Sequence, residues 1–143
     1  MTDVSGFHDC KQELRSLDLK VTPARIAVLE YLENTQEPVD VASVSQYLKE
    51  KHIDADQATI FRIINIFTQK GLTKQLHLNE GKFRYELSSR PEHHHLICTH
   101  CGKIQDISDC GIEELEGRIE KKTRFKIHTH SLEFFGICSD CQN

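Results

Sequence analysis

Two pairs of cysteines near the end of the chain have the spacing of a metal site. Cys98 and Cys101 form one pair, and Cys138 and Cys141 form the other. Each pair places two thiolates on one tight turn, and two such turns supply the four soft ligands that Zn²⁺ prefers. Four thiolates leave no open position for water, so the spacing predicts a structural zinc. The alternative is two unrelated pairs of buried thiols.

Three consecutive histidines, His93, His94 and His95, precede the first cysteine pair. On a strand, His93 and His95 point to one side and His94 to the other. We therefore predict two metal sites on opposite faces rather than one site with three histidines. The alternative is surface histidines without a ligand role. The other side chains that can join such sites are His130, Glu86, Glu92, Asp106 and Glu113.

A predicted helix after Asp56 has a face suited to reading DNA. Arg, Asn and Gln side chains pair with guanine and adenine edges, and Phe and Ala can contact a thymine methyl. The alternative is an ordinary solvated helix face. This face carries Ala58, Arg62, Asn65 and Gln69, with Phe61 beside Thr59. Basic residues elsewhere that can meet phosphates are Lys20, Arg25, Lys82 and Arg84.

The first half of the chain reads as helices followed by a hairpin. Thr22, Asp40 and Asp56 can each cap a helix that begins at the next residue, and Gly71 can end the last helix. Leu72, Leu76 and Leu78 alternate before the turn at 79–81, and Phe83, Tyr85 and Leu87 alternate after it, as strands of a half-buried hairpin do. A short first helix over 11–17 completes the pattern, which is that of a winged helix.

The second half begins where the composition changes, at 88–91. We predict strands over 93–97 and 103–107, a helix over 112–122 and a last strand over 126–137. Ile112, Leu115 and Ile119 form the apolar face of that helix. The fold class is therefore α+β, with a winged-helix domain over 1–87 and a small α/β domain over 88–143. So short a second domain needs a partner or a staple, which the zinc would supply.

Composition limits the compartment and the partners. The chain has 143 residues and a formal net charge of −4, which argues mildly against nucleic acid unless basic residues cluster locally. It has no apolar run near the ~18 residues of a membrane span and no signal peptide at 1–10. We expect a cytoplasmic protein that does not bind membranes. Cys10 and Cys110 lack paired spacing and are expected to be bystanders.

Taken together, these residues resemble the ferric uptake regulator (Fur) superfamily of iron, zinc, manganese, nickel and peroxide sensors. The resemblance covers about residues 11–141, and the matching stretches occur in the family's order. They are 19–25, 58–62, 81–87, 93–102, 130–132 and 136–141.

The resemblance implies a metal-responsive repressor that binds palindromic operators in double-stranded DNA as a homodimer, through a C-terminal dimerisation domain. It implies DNA contacts from Lys20, Arg25, Thr59, Phe61, Arg62 and Asn65. It implies a regulatory site near the boundary between the two domains. The residues of this site are Glu37, Glu86, His93, His95 and Asp106. It also implies a second site made of Glu92, His94, Glu113 and His130.

Three positions depart from the family pattern. The family usually has His where this chain has Glu37 and Glu92, and Tyr where it has Phe61. Mixed His and carboxylate ligands suit Fe²⁺, Mn²⁺ and Zn²⁺ alike. Glu86 resembles the iron regulators, so we favour Fe²⁺ as the regulatory metal. A zinc uptake regulator, or a peroxide or manganese sensor of the same superfamily, is the alternative.

Two functions of other classes are the alternatives to a regulator. A zinc hydrolase needs an open metal site and a general base, but the sequence has no HExxH helix and its cysteine site is closed. A zinc-stapled interaction module without DNA binding fits the acidic charge, but it leaves the face around Arg62 and the hairpin unexplained. We therefore expect a DNA-binding regulator and not an enzyme.

Overall fold

A computed structural model describes residues 9–142 of the chain. Residues 1–8, on which part of the signal-peptide expectation rests, lie outside this range. Two compact units follow one another along the chain, and the first passes into the second between Arg90 and Pro91. Helices and antiparallel and parallel strands occur together, which confirms the α+β class. No helix within residues 9–142 has the length and apolar content needed to cross a membrane.

The N-terminal unit consists of four helices and a two-stranded hairpin. Its core is made by one face of each helix together with Tyr85 and Leu87 of the hairpin. Full burial of a side chain such as Phe67 or Leu29 contributes about 1.5–3 kcal/mol. The elements are α1 (Cys10–Ser16), α2 (Pro23–Asn34), α3 (Val41–Glu50), α4 (Gln57–Gln69), β1 (Thr73–His77) and β2 (Phe83–Leu87).

Polar side chains begin these helices where the sequence predicts. Thr22 Oγ1 accepts the Arg25 N–H at 3.2 Å, and Asp56 Oδ1 accepts the Thr59 N–H at 2.7 Å. Each bond satisfies a backbone donor that the first turn leaves without a partner. Helix α4 ends at Gln69, and Gly71 follows the cap residue with a φ of 77°, a left-handed conformation that residues with a side chain rarely adopt.

Strands β1 and β2 pair antiparallel, with Thr73 opposite Leu87 and His77 opposite Phe83. Val39 forms a bridge to Tyr85 and so joins the start of α3 to the hairpin. Phe83 is 49% exposed, so the prediction that it shares a buried face with Tyr85 and Leu87 is wrong. The reason is position, since Phe83 lies at the hairpin's tip, outside the core cluster.

The C-terminal unit is a three-stranded sheet with one helix. Strand β3 (His94–Cys98) lies in the centre, antiparallel to β4 (Ile104–Ile107) and parallel to β5 (Glu133–Gly136). Helix α5 (Ile112–Thr123) connects β4 to β5, and none of its residues is buried. A short 3₁₀ helix, Ser139–Cys141, follows β5.

The last strand is much shorter than the sequence predicts. It covers Glu133–Gly136 and not 126–137. Its partner β3 begins only at His94, and His95 is already opposite Glu133. Residues before Glu133 therefore have little of β3 to pair with, and a strand forms only where it finds a partner.

Candidate metal centres and nucleic-acid interface

The pairing of β3 with β5 brings the two cysteine pairs together. Cys98 is the last residue of β3 and lies opposite Gly136 of β5, two residues before Cys138. The Thr99 N–H donates to the Gly136 carbonyl at 2.7 Å and holds the following turn in place. The Sγ atoms of Cys98, Cys101, Cys138 and Cys141 all lie within 4.8 Å of one another.

These four sulfurs fit a tetrahedral zinc. Zn–S bonds of about 2.3 Å at tetrahedral angles place sulfurs roughly 3.8 Å apart, and Cys101 Sγ is 3.8 Å from Cys138 Sγ. Backbone N–H groups of Cys101 and Cys138 point at Cys98 Sγ and lower the pKa of that thiol to about 5. Because metals bind the thiolate, these donors favour the ligand form. The donor set is that of a structural zinc site.

A second group of possible ligands lies on the C-terminal unit. Glu92, His94 and His130 each offer one atom within 4.8 Å of the others. The two Nε2 atoms of His94 and His130 are 2.8 Å apart, and Glu92 Oε1 is 3.2 Å from Nε2 of His130. Burial, and then the nearby His130, lower the pKa of His94. The neutral imidazole that metals bind is therefore favoured.

Two carboxylates of α5 lie near this group, and only one of them, Glu113, is predicted as a ligand. Glu113 lies outside the group of three and lines a cavity of about 430 Å³ together with Glu92, His94 and Cys110. Glu116, one turn further along α5, instead contacts Nδ1 of His130 at 2.5 Å. The thiol of Cys110 lies 2.9 Å from Nδ1 of His94.

Three of the residues assigned to the regulatory site belong to the C-terminal unit. The rings of His93 and His95 contact each other edge to face, with centroids 4.9 Å apart, whereas His94 contacts His130. The three histidines thus take part in two different groups. Asp106 lies opposite His95 on β4, and its Oδ1 is 3.8 Å from Nε2 of His95.

The other two belong to the N-terminal unit. Glu86 lies on β2 and is only 3% exposed. Its carboxylate is held by Lys74 at 3.3 Å and by Arg90 at 3.0 Å. A buried carboxylate needs partners of this kind to compensate its charge. Glu37 is exposed and lies just before the bridge residue Val39.

Helix α4 presents the polar face that the sequence predicts. Ile60, Ile63, Ile64 and Phe67 are buried. Phe61 is 51% exposed. The outer face also carries exposed Ala58, Arg62, Asn65 and Gln69, with Thr59 half-buried at the first turn.

The basic residues around this helix divide into two kinds. Lys20 is exposed, and its carbonyl accepts a bond from Arg25 Nη1 at 2.9 Å. Lys82 and Arg84 of the hairpin, considered for phosphate contacts, are engaged inside the unit. Lys82 Nζ pairs with Asp40 at 2.5 Å, and Arg84 makes two bonds to Glu80 at 2.8 and 2.9 Å. Phe61 lines a cavity of about 310 Å³ together with Lys82 and Phe83.

Sequence reasoning passed over two residues at the second metal group. A single cysteine in a loop, such as Cys110, has no paired spacing that would predict a role at a metal site. Glu116 had a signal that could have been used. It follows Leu115 and precedes Ile119 by three residues, so it places a carboxylate beside the apolar face of α5. A charge in that position points to a partner within the fold.

Comparison with known proteins assigns the chain to a family. The sequence profile of the ferric uptake regulator family matches residues 16–135. A ferric uptake regulation protein of Neisseria meningitidis is 33% identical over 131 residues, which is 91% of this chain and 91% of that protein. A peroxide operon regulator of Bacillus subtilis is 32% identical over 137 residues, 94% of each chain.

A solved structure agrees with the sequence relatives. The ferric uptake regulator of Helicobacter pylori, described as having three functional metal-binding sites, superimposes with a TM-score of 0.83 at 25% identity. The match covers 93% of this chain and 89% of that one. The present chain therefore belongs to the ferric uptake regulator family, whose members are metal-responsive transcription regulators and not enzymes.

Proposed function

We propose that this protein is a repressor that binds palindromic operators in double-stranded DNA as a homodimer when a regulatory metal ion is bound. The observation that carries the proposal is the outer face of α4. Arg62 and Asn65 are exposed on a helix whose opposite side is fully buried, and a two-stranded hairpin follows it. This helix is suited to the major groove, where Arg pairs with guanine and Asn with adenine.

Other contacts of the N-terminal unit support DNA binding. Lys20 and Arg25 lie at the start of α2 and can meet phosphates, which position a protein on the duplex without reading sequence. Phe61 and Thr59 flank the reading residues, and an exposed aromatic ring there suits a thymine methyl. An interaction module without DNA binding gives no reason for this arrangement.

The regulatory site in this proposal consists of Glu37, Glu86, His93, His95 and Asp106, as the family resemblance implies. The chemistry of this donor set fits a divalent ion, since neutral imidazoles and carboxylates suit Fe²⁺, Mn²⁺ and Zn²⁺. When bound, the ion supplies positive charge that these side chains can share. The dimer then shifts toward its DNA-competent arrangement, because that arrangement binds the ion more tightly.

The C-terminal unit supports dimer formation. Several large apolar side chains of this unit are exposed, and no residue of α5 is buried. Large exposed apolar side chains are typical of an interaction surface. They include Leu115 and Ile119 of α5, Phe125, Phe134 and Phe135. A two-fold dimer also doubles the DNA contacts available to an acidic chain. We propose the cytoplasm as its location, because the DNA that it would bind lies there.

The identity of the regulatory metal distinguishes the alternatives. We favour Fe²⁺ because of Glu86. A zinc uptake regulator, or a peroxide or manganese sensor, is the alternative within the family, and the relative from Bacillus subtilis is a peroxide operon regulator. Tight metal binding alone does not identify the physiological ion, because the affinities of most sites for divalent metals follow the Irving–Williams order.

The metal is tested by fluorescence anisotropy with DNA from upstream of the protein's own gene, without oxygen. The protein keeps its structural zinc, and buffered Fe²⁺, Zn²⁺ and Mn²⁺ are titrated separately. We expect DNA binding to switch on within the cytoplasmic range of one metal, Fe²⁺ first. An equal affinity for DNA with and without each metal would contradict the proposed metal-dependent switch.

The same assay tests the reading helix. Arg62→Ala should weaken operator binding by about 1–3 kcal/mol per half-site, the usual value of a good bidentate pair with a base. Zinc content and helix content should not change, because Arg62 is exposed. Arg118→Ala removes the same charge from an exposed position on α5 and is the matched control. Wild-type operator affinity in Arg62→Ala would overturn the assignment of α4.

A further inference from the structure

Each histidine of the second metal group is held at both of its ring nitrogens. The Nε2 atoms of His94 and His130 face each other at 2.8 Å. Nδ1 of His94 lies 2.9 Å from Cys110 Sγ, and Nδ1 of His130 lies 2.5 Å from Glu116 Oε1. Neither Cys110 nor Glu116 is among the ligands that the family resemblance implies.

The two ring nitrogens have different tasks when such a pair binds a metal. Glu92 lies beside Nε2 of His130 at 3.2 Å, so the possible ligand atoms converge on the Nε2 side. Ligation through Nε2 requires an unprotonated Nε2, and a neutral imidazole then carries its proton on Nδ1. Both Nδ1–H groups consequently need an acceptor. The structure provides one for each, a sulfur for His94 and a carboxylate for His130.

We infer that Cys110 and Glu116 are positioning residues of the second metal site, which hold His94 and His130 as Nδ1–H tautomers with Nε2 turned toward a divalent cation. This inference rests on the metal-binding function proposed above. Outer partners of this kind fix the orientation of a ligating imidazole and raise its basicity. The pairing of Glu116 with His130 is of the usual carboxylate–histidine type, whereas a thiol is not among the usual partners of a ligating imidazole.

The contact geometry separates Cys110 from the ligands themselves. Its sulfur is beside Nδ1 of His94, on the ring edge away from the Nε2 pair. A cation held by the Nε2 atoms would therefore have nitrogen and oxygen donors but no sulfur. Cys110 is also outside the group whose ligand atoms lie within 4.8 Å of one another.

The inference is tested on the full-length chain with its structural zinc in place. A His93→Ala background removes one ligand of the proposed regulatory site, so that Co²⁺ titration reports the second site through its visible absorption. In this background, Cys110→Ala and Glu116→Ala should each weaken Co²⁺ binding by about 10–100-fold. Cys110→Ser and Glu116→Gln keep an acceptor oxygen and should recover part of the affinity. Ser108→Ala, in the same exposed loop, should have no effect.

Nitrogen-15 NMR of the histidine side chains reports the tautomer of each imidazole, which would not change if Cys110 and Glu116 had only a structural role. With Zn²⁺ added beyond the structural site, His94 and His130 should show the Nδ1–H tautomer. Cys110→Ala should change the tautomer balance of His94 alone, and Glu116→Ala that of His130 alone. Zinc content of the four-cysteine site verifies that each variant is folded.

Three results would overturn the inference. Unchanged Co²⁺ affinity and tautomers in both alanine variants would leave a metal site in which Cys110 and Glu116 have no part. A sulfur-to-cobalt charge-transfer band that disappears in Cys110→Ala would make Cys110 a ligand instead. Absence of any Co²⁺ binding in the His93→Ala background that requires His94 and His130 would remove the second site itself, and the inference with it.

Discussion

Asp40 joins two elements of the N-terminal unit. Its Oδ1 accepts the Ser43 N–H at 2.8 Å and caps α3, while its Oδ2 pairs with Lys82 of the hairpin at 2.5 Å. Burial alone would raise the pKa of this carboxyl. The bonds from Lys82 and Ser43 outweigh burial and hold the pKa well below its usual range. Asp40 therefore stabilises the fold in its charged form.

Substitution of Asp40 separates its cap from its charge. Asp40→Ala loses both and should lower the free energy of unfolding by about 1–2 kcal/mol at pH 7, of which the cap is about 1 kcal/mol. Asp40→Asn keeps a capping oxygen and should cost less than about 1 kcal/mol. Urea denaturation followed by circular dichroism measures both differences.

The pH dependence of the same variants has a definite sign. A carboxyl whose pKa is lowered by folding stabilises the protein above its unfolded pKa, near 3.9, and loses this contribution as the pH falls. The difference between wild type and Asp40→Asn should therefore narrow below about pH 4. Lys82→Met removes the same ion pair from its other end. Its difference in free energy of unfolding from wild type should narrow over the same pH range. A difference that stays constant to pH 3 would contradict the assigned role.

The sequence predicts the contacts of some residues better than those of others. The caps Thr22, Asp40 and Asp56 were predicted correctly because a cap and its donor lie within three residues of each other. The ion pair of Asp40 with Lys82 spans 42 residues, and only the folded hairpin brings the two together. The sequence does not show this ion pair, so Lys82 was predicted to meet phosphate instead.

At the scale of elements, the pairing of β3 with β5 and the cysteine turns depend on each other. The sheet has no helix buried against it within the C-terminal unit, since α5 has no buried residue. The four cysteines tie the end of β3 to the residues after β5. For small zinc domains the metal contributes an apparent ~10–16 kcal/mol at pH 7, as much as the whole stability of a typical domain. Zinc is therefore expected to decide whether this unit folds.

Loss of one zinc ligand should unfold the C-terminal unit selectively. In Cys141→Ser we expect zinc content to fall and the amides of β3 and β5 to lose protection from hydrogen exchange. The amides of α4 should stay protected, because that helix is buried in a separate core. Mass spectrometry of exchange, with metal analysis, measures both. Cys110→Ser changes a cysteine outside the four and should keep the zinc of the four-cysteine site. Full protection of β3 without zinc would show that the sheet is stable by itself.

Element ends were harder to predict than element types. Periodicity identified α4 because a long apolar stripe lies on one helix face, and its buried residues are those predicted. The last strand was predicted too long because alternation in the sequence does not show how far the partner strand extends. The same limit applies to Glu113 and Glu116, where the packing of α5 and not residue type determines which carboxylate lies beside His130.

At the scale of the whole molecule, the two units differ in how much apolar surface they cover. The four helices of the N-terminal unit bury a continuous core, whereas large apolar residues of the C-terminal unit stay exposed. Leu115 is 43% and Ile119 41% exposed on the apolar face of α5. The sequence predicted this face but not what covers it, because one chain does not contain its partner. A second copy of the chain, as proposed above, would complete the core of this unit.

Leu115→Glu places a charge in that surface and should weaken the dimer. Burial of a leucine contributes about 1.5–3 kcal/mol, and a two-fold interface counts each substitution twice. We expect the dissociation constant of the dimer to rise by at least about 10–100-fold, since about 1.4 kcal/mol corresponds to a factor of ten. Sedimentation velocity across a range of protein concentrations measures this change.

DNA binding should weaken together with the dimer, because a monomer reaches only one half of a palindromic operator. Arg118→Ala lowers the net charge by the same amount as Leu115→Glu from an exposed position of the same helix. It should leave both the dimer and the operator affinity unchanged. A Leu115→Glu protein that remains a full dimer would place the subunit interface elsewhere than on α5. Operator binding of wild-type strength by a Leu115→Glu monomer would remove the need for a dimer altogether.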